Sequence, residues 1–475
     1  GRYVEGKELV ESIDRAISDD AVLSQDDQGI YLLSAARVFI SLGKPEVSEK
    51  FLLQIEAGSE DEIYLQKQIL QSEICDRKGY AEDSIEILEN LRETVERSGT
   101  SQIAQNFQNQ LGSGFSKLGR FDEAVQEYLK GIRIAEEMDD ELGQAGLLNN
   151  LGNIRLRLRE FDAARENFSR SVEIFNRWGH LDRETITRVG LASIDFYQGH
   201  LEEAGIIYRG AIETFRLIQN RMGLGRNYRN LGEVERLLGR FDVAADCYQR
   251  SIEVRHAIGD RMGEARSHFD QVDIHAAMGD WKGAGDANDK GLAIAREIDS
   301  AALILEGRIR EGLNLLSAGH DPGVVKLSPL AEEVADKDLD SLVLWNTLRC
   351  RHCQLEGNLL DAEQFRQARE VLEHCSGLAF SRQRCLLGAS LALVSPDRER
   401  SLGVLAPILD EQDLPPGAPL DMVLSARASL EEAGSKEREK WEECAVEAVE
   451  DRAARIQRAA DRRRFLKARL GRLEG

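Results

Sequence analysis

The sequence is poor in the residues that interrupt helices, cross-link chains or span membranes. It has 8 prolines in 475 residues, so long uninterrupted helices can form along most of its length. Its 7 cysteines are scattered and odd in number, which argues against a disulfide framework and favours a reducing compartment. We find no apolar run of transmembrane length and no signal peptide. We therefore expect a cytoplasmic helical protein with no membrane partner.

Positive charge is also scarce, since 62 Lys and Arg face 84 Asp and Glu and the net charge is −22. Such an acidic chain repels nucleic-acid phosphates and anionic lipids, so we expect no nucleic-acid partner. Enzyme motifs are missing too: the sequence has no Gly-rich phosphate loop after a strand, no nucleophile elbow and no HExxH. We expect no enzymatic activity and no cofactor.

What the sequence does have is a repeat of forty residues, clearest in Leu231–Met262. Self-similarity at a fixed period of this length is typical of a solenoid of helical hairpins. Glycine recurs where the first helix of each hairpin should end, because only glycine adopts a left-handed backbone cheaply. The predicted turns are near Gly79, Gly119, Arg159, Gly199, Gly239, Gly279 and Gly319.

Three further series share this period and predict how the helices pack. Small residues should lie where two helices cross closely, aromatic residues should fill the gap to the next hairpin, and aspartates should begin the second helix, where carboxylates favour the free N–H groups. The small residues are Gly152, Gly232, Ala124, Ala164, Ala204, Ala244 and Ala284; the aromatic residues are Tyr128, Phe168, Tyr208 and Tyr248; the aspartates are Asp122, Asp162 and Asp242.

This pattern resembles the tetratricopeptide repeat, carried by Leu151-Gly152, Ala164, Phe168 and Ser171 in one copy and by Leu231-Gly232, Ala244, Tyr248 and Ser251 in another. The longer period is similar to that of Pins-type adaptors, kinesin light chains and bacterial signalling proteins. Arg155 and Glu235 depart from the family, which usually has an aromatic residue there, and the helix-end proline is missing. The resemblance implies an all-α, right-handed α-solenoid (superhelix) of about eleven hairpins.

Repeat regularity divides the chain into four segments. Residues 1–100 should form divergent hairpins, 101–300 five regular units, 301–435 divergent hairpins and 436–475 a long C-terminal capping helix with a basic end. That basic end is either an anionic-partner site or a solvated helix terminus, and we favour the second. The opening Gly1–Val10 resembles the second half of a repeat, so we expect the chain to be a fragment of a longer protein or a processed one.

In the family, exposed residues of each first helix face the concave side, which often holds an extended peptide or an acidic tail. Asparagine carboxamides can donate to and accept from a bound backbone, and arginines suit carboxylates. The candidate peptide-binding residues are Asn106, Asn109, Lys117, Asn149, Asn150, Asn153, Arg157, Tyr197, Arg226, Arg229, Asn230, Glu233, Arg266 and Asp273.

The predicted function is a non-catalytic protein- or peptide-binding scaffold, the interaction or sensing region of a larger signalling protein. One alternative is a peptide-gated regulator of an upstream effector or DNA-binding domain. The other is a zinc-binding or enzymatic role around residues 350–385, where Cys350, His352 and Cys353 precede His374, Cys375 and Cys385. Cysteine at helix-packing positions more often acts as a small hydrophobe, so we do not expect a metal.

Overall fold

The computed structural model describes residues 25–41, 44–56, 61–317, 339–355, 360, 362–374, 381–395, 398–410, 418–431, 435–456, 461–462 and 465–466. Within these ranges the chain forms 21 α-helices and no β-strand, which confirms the predicted all-α solenoid fold. The predicted turn at Gly319 and the opening Gly1–Val10 lie outside the described residues.

From residue 25 to residue 317 the helices alternate as first and second members of hairpins. The first nine are α1 (Gln25–Ser41), α2 (Pro45–Leu52), α3 (Glu62–Lys78), α4 (Ala81–Ser98), α5 (Ser101–Lys117), α6 (Phe121–Glu137), α7 (Glu141–Arg157), α8 (Phe161–Arg177) and α9 (Leu181–Gln198). The next six are α10 (Leu201–Leu217), α11 (Arg221–Leu237), α12 (Phe241–Ile258), α13 (Arg261–Ala277), α14 (Trp281–Glu297) and α15 (Ala301–Ser317). The last six are α16 (Leu339–Leu355), α17 (Ala362–His374), α18 (Ser381–Leu393), α19 (Arg398–Leu409), α20 (Leu420–Ser429) and α21 (Lys436–Ala454).

The chain divides into two compact units after Leu191, inside α9. We call residues up to 191 unit 1 and residues from 192 unit 2. In unit 1, α3–α4, α5–α6 and α7–α8 are hairpins that stack on one another; in unit 2, α11–α12 and α13–α14 do the same. The segment boundaries at residues 100, 300 and 435 remain predictions from repeat regularity.

The turns inside the hairpins lie where the sequence predicts them. Gly79, Gly119, Gly199, Gly239 and Gly279 all have positive φ, between 72° and 91°. Arg159 takes the same position in the α7–α8 hairpin with φ of 60°, so a non-glycine residue adopts the left-handed backbone there. The forty-residue period therefore determines backbone conformation even where the residue type changes.

A second series of left-handed residues lies between hairpins. It comprises Asp139, Gly179, Gln219, Gly259 and Asp299, with φ between 52° and 73°. The next residue often caps the following helix: the side chains of Asp140, Asn220 and Asp260 accept hydrogen bonds from the backbone N–H three residues later. Each of these links between hairpins is only two or three residues long.

The two helices of these hairpins approach closely where a glycine meets an aromatic ring. A Cβ atom added at Gly152 would lie 2.8 Å from Cε1 of Phe168, and one added at Gly190 would lie 2.6 Å from Cζ of the same ring. Phe168 is fully buried between its own hairpin and the next first helix. Gly232 meets Tyr248 in the same way, at 2.7 Å from Cε1. Both predicted packing roles, small residues at crossings and aromatic residues between hairpins, are confirmed.

In unit 2 the C-terminal segment packs back onto α12 and α13. Val449 and Ala453 of α21 share an apolar cluster with Phe241 of α12. The guanidinium of Arg452 lies 5.5 Å from the centre of the Phe241 ring, and it forms a buried ion pair with Asp421 of α20. Burial of both partners makes removal of either one costly, because the other charge would remain unpaired.

The predicted long helix over residues 436–475 is interrupted in the structure. Helix α21 ends at Ala454, and Arg455 forms a turn. Ile456 and Phe465 lie in the same apolar cluster as Phe241, with the two phenylalanine ring centres 5.9 Å apart. Burial of these side chains explains why the chain leaves the helix.

We expect the left-handed turns to show opposite effects when glycine is added or removed. Gln219→Gly should raise the free energy of unfolding by about 1 kcal/mol, and Gly259→Gln should lower it by about the same amount, because a left-handed backbone is unfavourable for residues with a Cβ. Both residues begin the same kind of turn, with φ of 56° and 73°. Denaturant unfolding measures the pair; equal signs for the two variants would contradict the assigned turns.

The glycine–aromatic contact predicts a position-dependent response to alanine. Gly152→Ala should lower the free energy of unfolding by about 1–3 kcal/mol, because the new methyl group overlaps the Phe168 ring. Gly210→Ala is the control: it lies in α10 with nothing within 4 Å of an added Cβ, and should stabilise by about 0.5–1 kcal/mol through helix propensity. Stabilisation by both substitutions, measured by thermal unfolding, would mean that the crossing is not tightly packed.

Candidate functional site

Unit 1 contains an open groove of about 800 Å³ between the first helices of successive hairpins. We call it the amide groove, because side-chain carboxamides dominate its polar lining. Helices α5, α7 and α9 supply most of its walls, with Arg77 of α3 at one side. The lining residues used below are Gln102, Gln105, Asn106, Asn109, Asp140, Leu142, Gly146, Leu147, Asn149, Asn150, Phe175, Asp182, Arg183 and Ile186.

Four predicted asparagines meet in this groove. Asn150 Nδ2 donates to Asn109 Oδ1 at 2.9 Å, which links α7 to α5. Asn149 lies beside this pair, and the side chain of Asn106 has no hydrogen-bond partner among the described residues. A carboxamide has two N–H groups and an oxygen with two lone pairs. Each asparagine therefore keeps bonding capacity for a ligand backbone after its contacts within the protein.

A smaller cavity of about 280 Å³ shares Asn106 and Asn109 with the amide groove. Its other walls include Arg37 of α1, Gln66 of α3 and Ile103 of α5. The two openings therefore meet at α5. A ligand that occupied both would contact first helices from α1 to α9, a length that suits an extended segment better than a compact small molecule.

Gly146 forms an open part of the groove floor. A Cβ atom added there would meet a single neighbouring atom within 4 Å, Nη1 of Arg183 at 3.9 Å. Gly143, also in α7, is different: its added Cβ would lie 2.0 Å from Oδ2 of Asp140, the helix cap. In the forty-residue register, Asn106 and Ile186 occupy the positions equivalent to Gly146. The missing side chain therefore leaves space that neighbouring hairpins fill.

The charged residues of the groove are held in different ways. Arg77 pairs with Glu73 at 2.9 Å, and Asp140 Oδ2 accepts from Gln105 Nε2 at 2.9 Å. Arg183 is exposed and lies over the Phe175 ring, 5.8 Å from its centre, in a cation–π contact. No described carboxylate pairs with it. Arg183 is thus the groove cation with charge to offer a ligand.

Three other predicted site residues of unit 1 do not line this groove. Lys117 Nζ lies 3.2 Å from Oδ2 of Asp76, a carboxylate whose pKa is raised by burial despite that nearby cation. Asn153 Nδ2 donates to the carbonyl of Asn149 at 2.8 Å, and Arg157 lies 5.9 Å from the Phe121 ring centre. All three lie on first helices as predicted, but nearer the hairpin turns.

Three of the seven predicted residues of unit 2, Arg229, Glu233 and Asp273, form ion pairs with other residues of the protein. Arg229 donates to both oxygens of Asp270, at 2.5 and 3.1 Å, and Asp273 pairs with Arg310 at 2.6 Å. These pairs join the first helices α11, α13 and α15. Their charge is already matched within the protein, so a ligand that recruited Arg229 or Asp273 would have to compete with an existing partner.

Glu233 shows how strongly these charges are held. It pairs with Arg236 and accepts a hydrogen bond from the Tyr248 hydroxyl at 2.9 Å. Burial opposes ionisation of Glu233, but the charge of Arg236 and the hydrogen bonds donated by Arg236 and by the Tyr248 hydroxyl outweigh it and lower the pKa of Glu233 to about 2. This carboxylate therefore remains charged at neutral pH and stabilises α11.

Four predicted residues of unit 2 are not part of these pairs. Arg226 and Arg266 are exposed at equivalent positions on α11 and α13, and Asn230 is partly buried. Tyr197 is exposed and packs edge-on against Phe196, with ring centres 5.5 Å apart. None of these four residues lines either of the two cavities described in unit 1.

The cysteine-rich region is built into an apolar core. Cys350 and Cys385 are buried in one cluster with Phe365 and Leu387, and Cys353 packs against it. Burial raises the pKa of the Cys350 thiol to about 12, so it carries little thiolate. Across the described ranges no three potential ligands gather around a metal position, and Cys375 lies outside those ranges.

Sequence reasoning missed the groove residues that are not polar amides. Gly146 and Ile186 lie forty and eighty residues after Asn106, so the repeat spacing could have predicted that they line the same groove. Phe175 and Arg183 come from the end of α8 and the start of α9, and their contact depends on how the link between these helices turns.

In the described part of the chain, no helix has the length and apolarity needed to span a bilayer.

The contacts of Glu233 with Arg236 and the Tyr248 hydroxyl predict that the stability of the fold depends on pH. The folded pKa of about 2 lies below the ordinary value of 4.5, so the ionised carboxylate stabilises the fold above pH 4.5 and this stabilisation disappears as pH falls toward 2. The difference in unfolding free energy between wild type and Glu233→Gln should stay constant from pH 8 to 6 and shrink below about pH 5. A difference independent of pH down to about 2 would contradict the ion pair.

Comparisons with known proteins agree on the repeat family. Tetratricopeptide-repeat models match residues 223–297 and 106–138. No curated protein sequence matches the chain. Three solved structures with similar folds share 15% sequence identity with this chain. A Rap protein complexed with Competence and Sporulation Factor has a TM-score of 0.54, and the match covers 80% of this chain and 99% of that one. The apo quorum sensor NprR from B. thuringiensis has a TM-score of 0.55, with 73% of this chain and 97% of that one covered, and NprR in complex with its cognate peptide NprX has a TM-score of 0.51, with 75% and 99% covered.

At such identities the structural likeness shows the fold alone, whereas the repeat models match the sequence itself. The two matched regions contain Gly112 with Tyr128 and Gly232 with Tyr248, the contacts that pack each hairpin. Helices of 17 or 18 residues continue from α3 in unit 1 to α15 in unit 2. The chain is therefore a tetratricopeptide-repeat protein.

Proposed function

We propose that this protein is a non-catalytic peptide-binding scaffold and that the amide groove of unit 1 holds an extended peptide. The observation that carries the proposal is the meeting of Asn106, Asn109, Asn149 and Asn150 in one open groove. An extended peptide presents an N–H and a carbonyl at every residue, and carboxamides can bond both. The groove is about 800 Å³ in volume and continues toward a second opening, so it has room for several residues.

The similar solved structures support a sensing role. A Rap protein is complexed with Competence and Sporulation Factor, and the quorum sensor NprR is complexed with its cognate peptide NprX. By analogy, we infer that this chain is the interaction or sensing region of a signalling protein. Binding across α5, α7 and α9 would favour one arrangement of these hairpins and so report the ligand to the rest of the protein.

The alternative zinc role has less support. The buried Cys350 and Cys385 pack with apolar side chains, and Cys350 is held as a neutral thiol. Zinc needs thiolates or neutral imidazoles in tetrahedral array. We therefore assign these cysteines to the core, and a metal analysis of the purified protein that finds bound zinc would overturn this assignment.

Gly146→Leu tests the groove because it fills the floor without crowding the protein. The open space above Gly146 accepts the side chain, and helix propensity should keep α7 stable. We expect immobilised wild-type protein to retain peptides from an extract of the source cells and their medium. Gly146→Leu should lose them or bind at least about tenfold more weakly, a difference of about 1.4 kcal/mol. Mass spectrometry identifies the retained peptides.

Gly210→Leu is the matched control. It places the same side chain on an exposed, open position of α10, outside the groove. Thermal unfolding should show both variants to be at least as stable as wild type. Peptides retained equally by wild type, Gly210→Leu and Gly146→Leu would place binding elsewhere, and the proposal would be wrong.

A further inference from the structure

One end of the amide groove combines an open floor, an apolar wall and a cation. Gly146 forms the floor, Leu142 and Ile186 form the wall, and Arg183 lies at the edge. Ile186 is 42% exposed and lines the groove, so its aliphatic side chain is accessible to a ligand. We call Gly146, Phe175, Arg183 and Ile186 the arginine subsite.

Arg183 is held in place without being neutralised. Its guanidinium lies over the Phe175 ring, and that ring is almost fully buried and belongs to the core of unit 1. Phe175 therefore orients the guanidinium, so a ligand that binds it loses less side-chain entropy than with a free arginine. Arg77, by contrast, already shares its charge with Glu73 at 2.9 Å.

The charge around the subsite favours a carboxylate over a phosphate. A carboxylate carries one negative charge, and a single guanidinium can bind it through two parallel hydrogen bonds. A phosphorylated residue carries about two negative charges and is usually met by a cluster of arginines. Here Asp140 and Asp182 line the same groove and would repel a dianion.

We propose that the arginine subsite selects a peptide residue with a carboxylate side chain next to a residue with an aliphatic side chain. The carboxylate binds Arg183, and the aliphatic side chain lies over Gly146 against Ile186. This inference rests on the proposed function, since it specifies which peptides the amide groove accepts. It assigns Arg183 as the specificity-determining residue of a groove that otherwise contacts peptide backbone.

A random 12-residue peptide library displayed on phage tests this assignment directly. Wild-type protein should enrich Asp or Glu at one position, with Leu, Ile, Val or Met beside it. Arg183→Glu reverses the charge and should enrich Lys or Arg at the acidic position. A synthetic peptide selected on wild type should bind Arg183→Gln roughly 10- to 100-fold more weakly, as expected for the loss of hydrogen bonds between charged groups.

Arg188→Glu is the control for the change in net charge. Arg188 lies on the same helix, pairs with Glu184 at 2.8 Å and does not line the groove. It should enrich the same acidic position as wild type. Enrichment of that position by Arg183→Glu as well would overturn the assignment of Arg183.

The library also separates this inference from the proposed function. Peptides that lose binding to Gly146→Leu but bind Arg183→Glu and wild type equally would support the groove and refute the arginine subsite. Peptides that bind Gly146→Leu as well as wild type would refute both, because they would not lie in the groove. A wild-type library with no enriched sequence would contradict both as well.

Discussion

The fold depends on the contact between a glycine of one helix and an aromatic ring of the next. Gly152 and Phe168 in unit 1, and Gly232 and Tyr248 in unit 2, allow the two helices of a hairpin to approach so closely that a methyl group would overlap the ring. The rings are fully buried, so each hairpin completes its core only when the next one covers it. Stacking at a constant spacing then brings equivalent residues of the first helices into rows, and the candidate site is made from such rows.

The rows have two different chemical characters. In unit 1 they bring Asn109 and Asn150 together, and amides linked to one another still have donors and acceptors to spare. In unit 2 they bring Arg229 to Asp270 and Asp273 to Arg310, and these charges neutralise each other. The same geometry thus leaves amide donors and acceptors unused in one unit and forms a set of structural ion pairs in the other. Residue type at each position decides which of the two results.

The sequence predicts the fold well because periodicity is local and repeated. The turns at Gly119 and Gly239, and the left-handed Arg159, follow from spacing alone. The sequence predicts the site less well, because whether a polar side chain is free to bind a ligand depends on its hydrogen-bond and ion-pair partners in neighbouring helices. From the sequence, Arg229 is predicted to be available to a ligand. In the structure it donates hydrogen bonds to Asp270, forty-one residues later in the chain. Arg183 depends in the same way on Phe175, which a pattern of polar residues cannot reveal.

The C-terminal segment marks the limit of reasoning from a repeat. Phe465 contacts Phe241 across more than two hundred residues, and no period relates them. Helical spacing predicts a long helix over residues 436–475, but α21 ends at Ala454, and Ile456 and Phe465 lie in an apolar cluster with Phe241. Non-local burial outweighs local helix preference here, since apolar surface removed from water contributes more than one added turn of helix.

Hydrogen exchange with and without a saturating peptide, selected on the wild-type protein, tests the central claim most directly. The amide groove is formed by the first helices α5, α7 and the start of α9. Bound peptide should slow exchange of backbone amides in these helices, with the strongest protection near Asn109, Gly146 and Asn150. Protection confined to second helices, or to unit 2, would contradict an account in which the carboxamides of unit 1 hold the ligand.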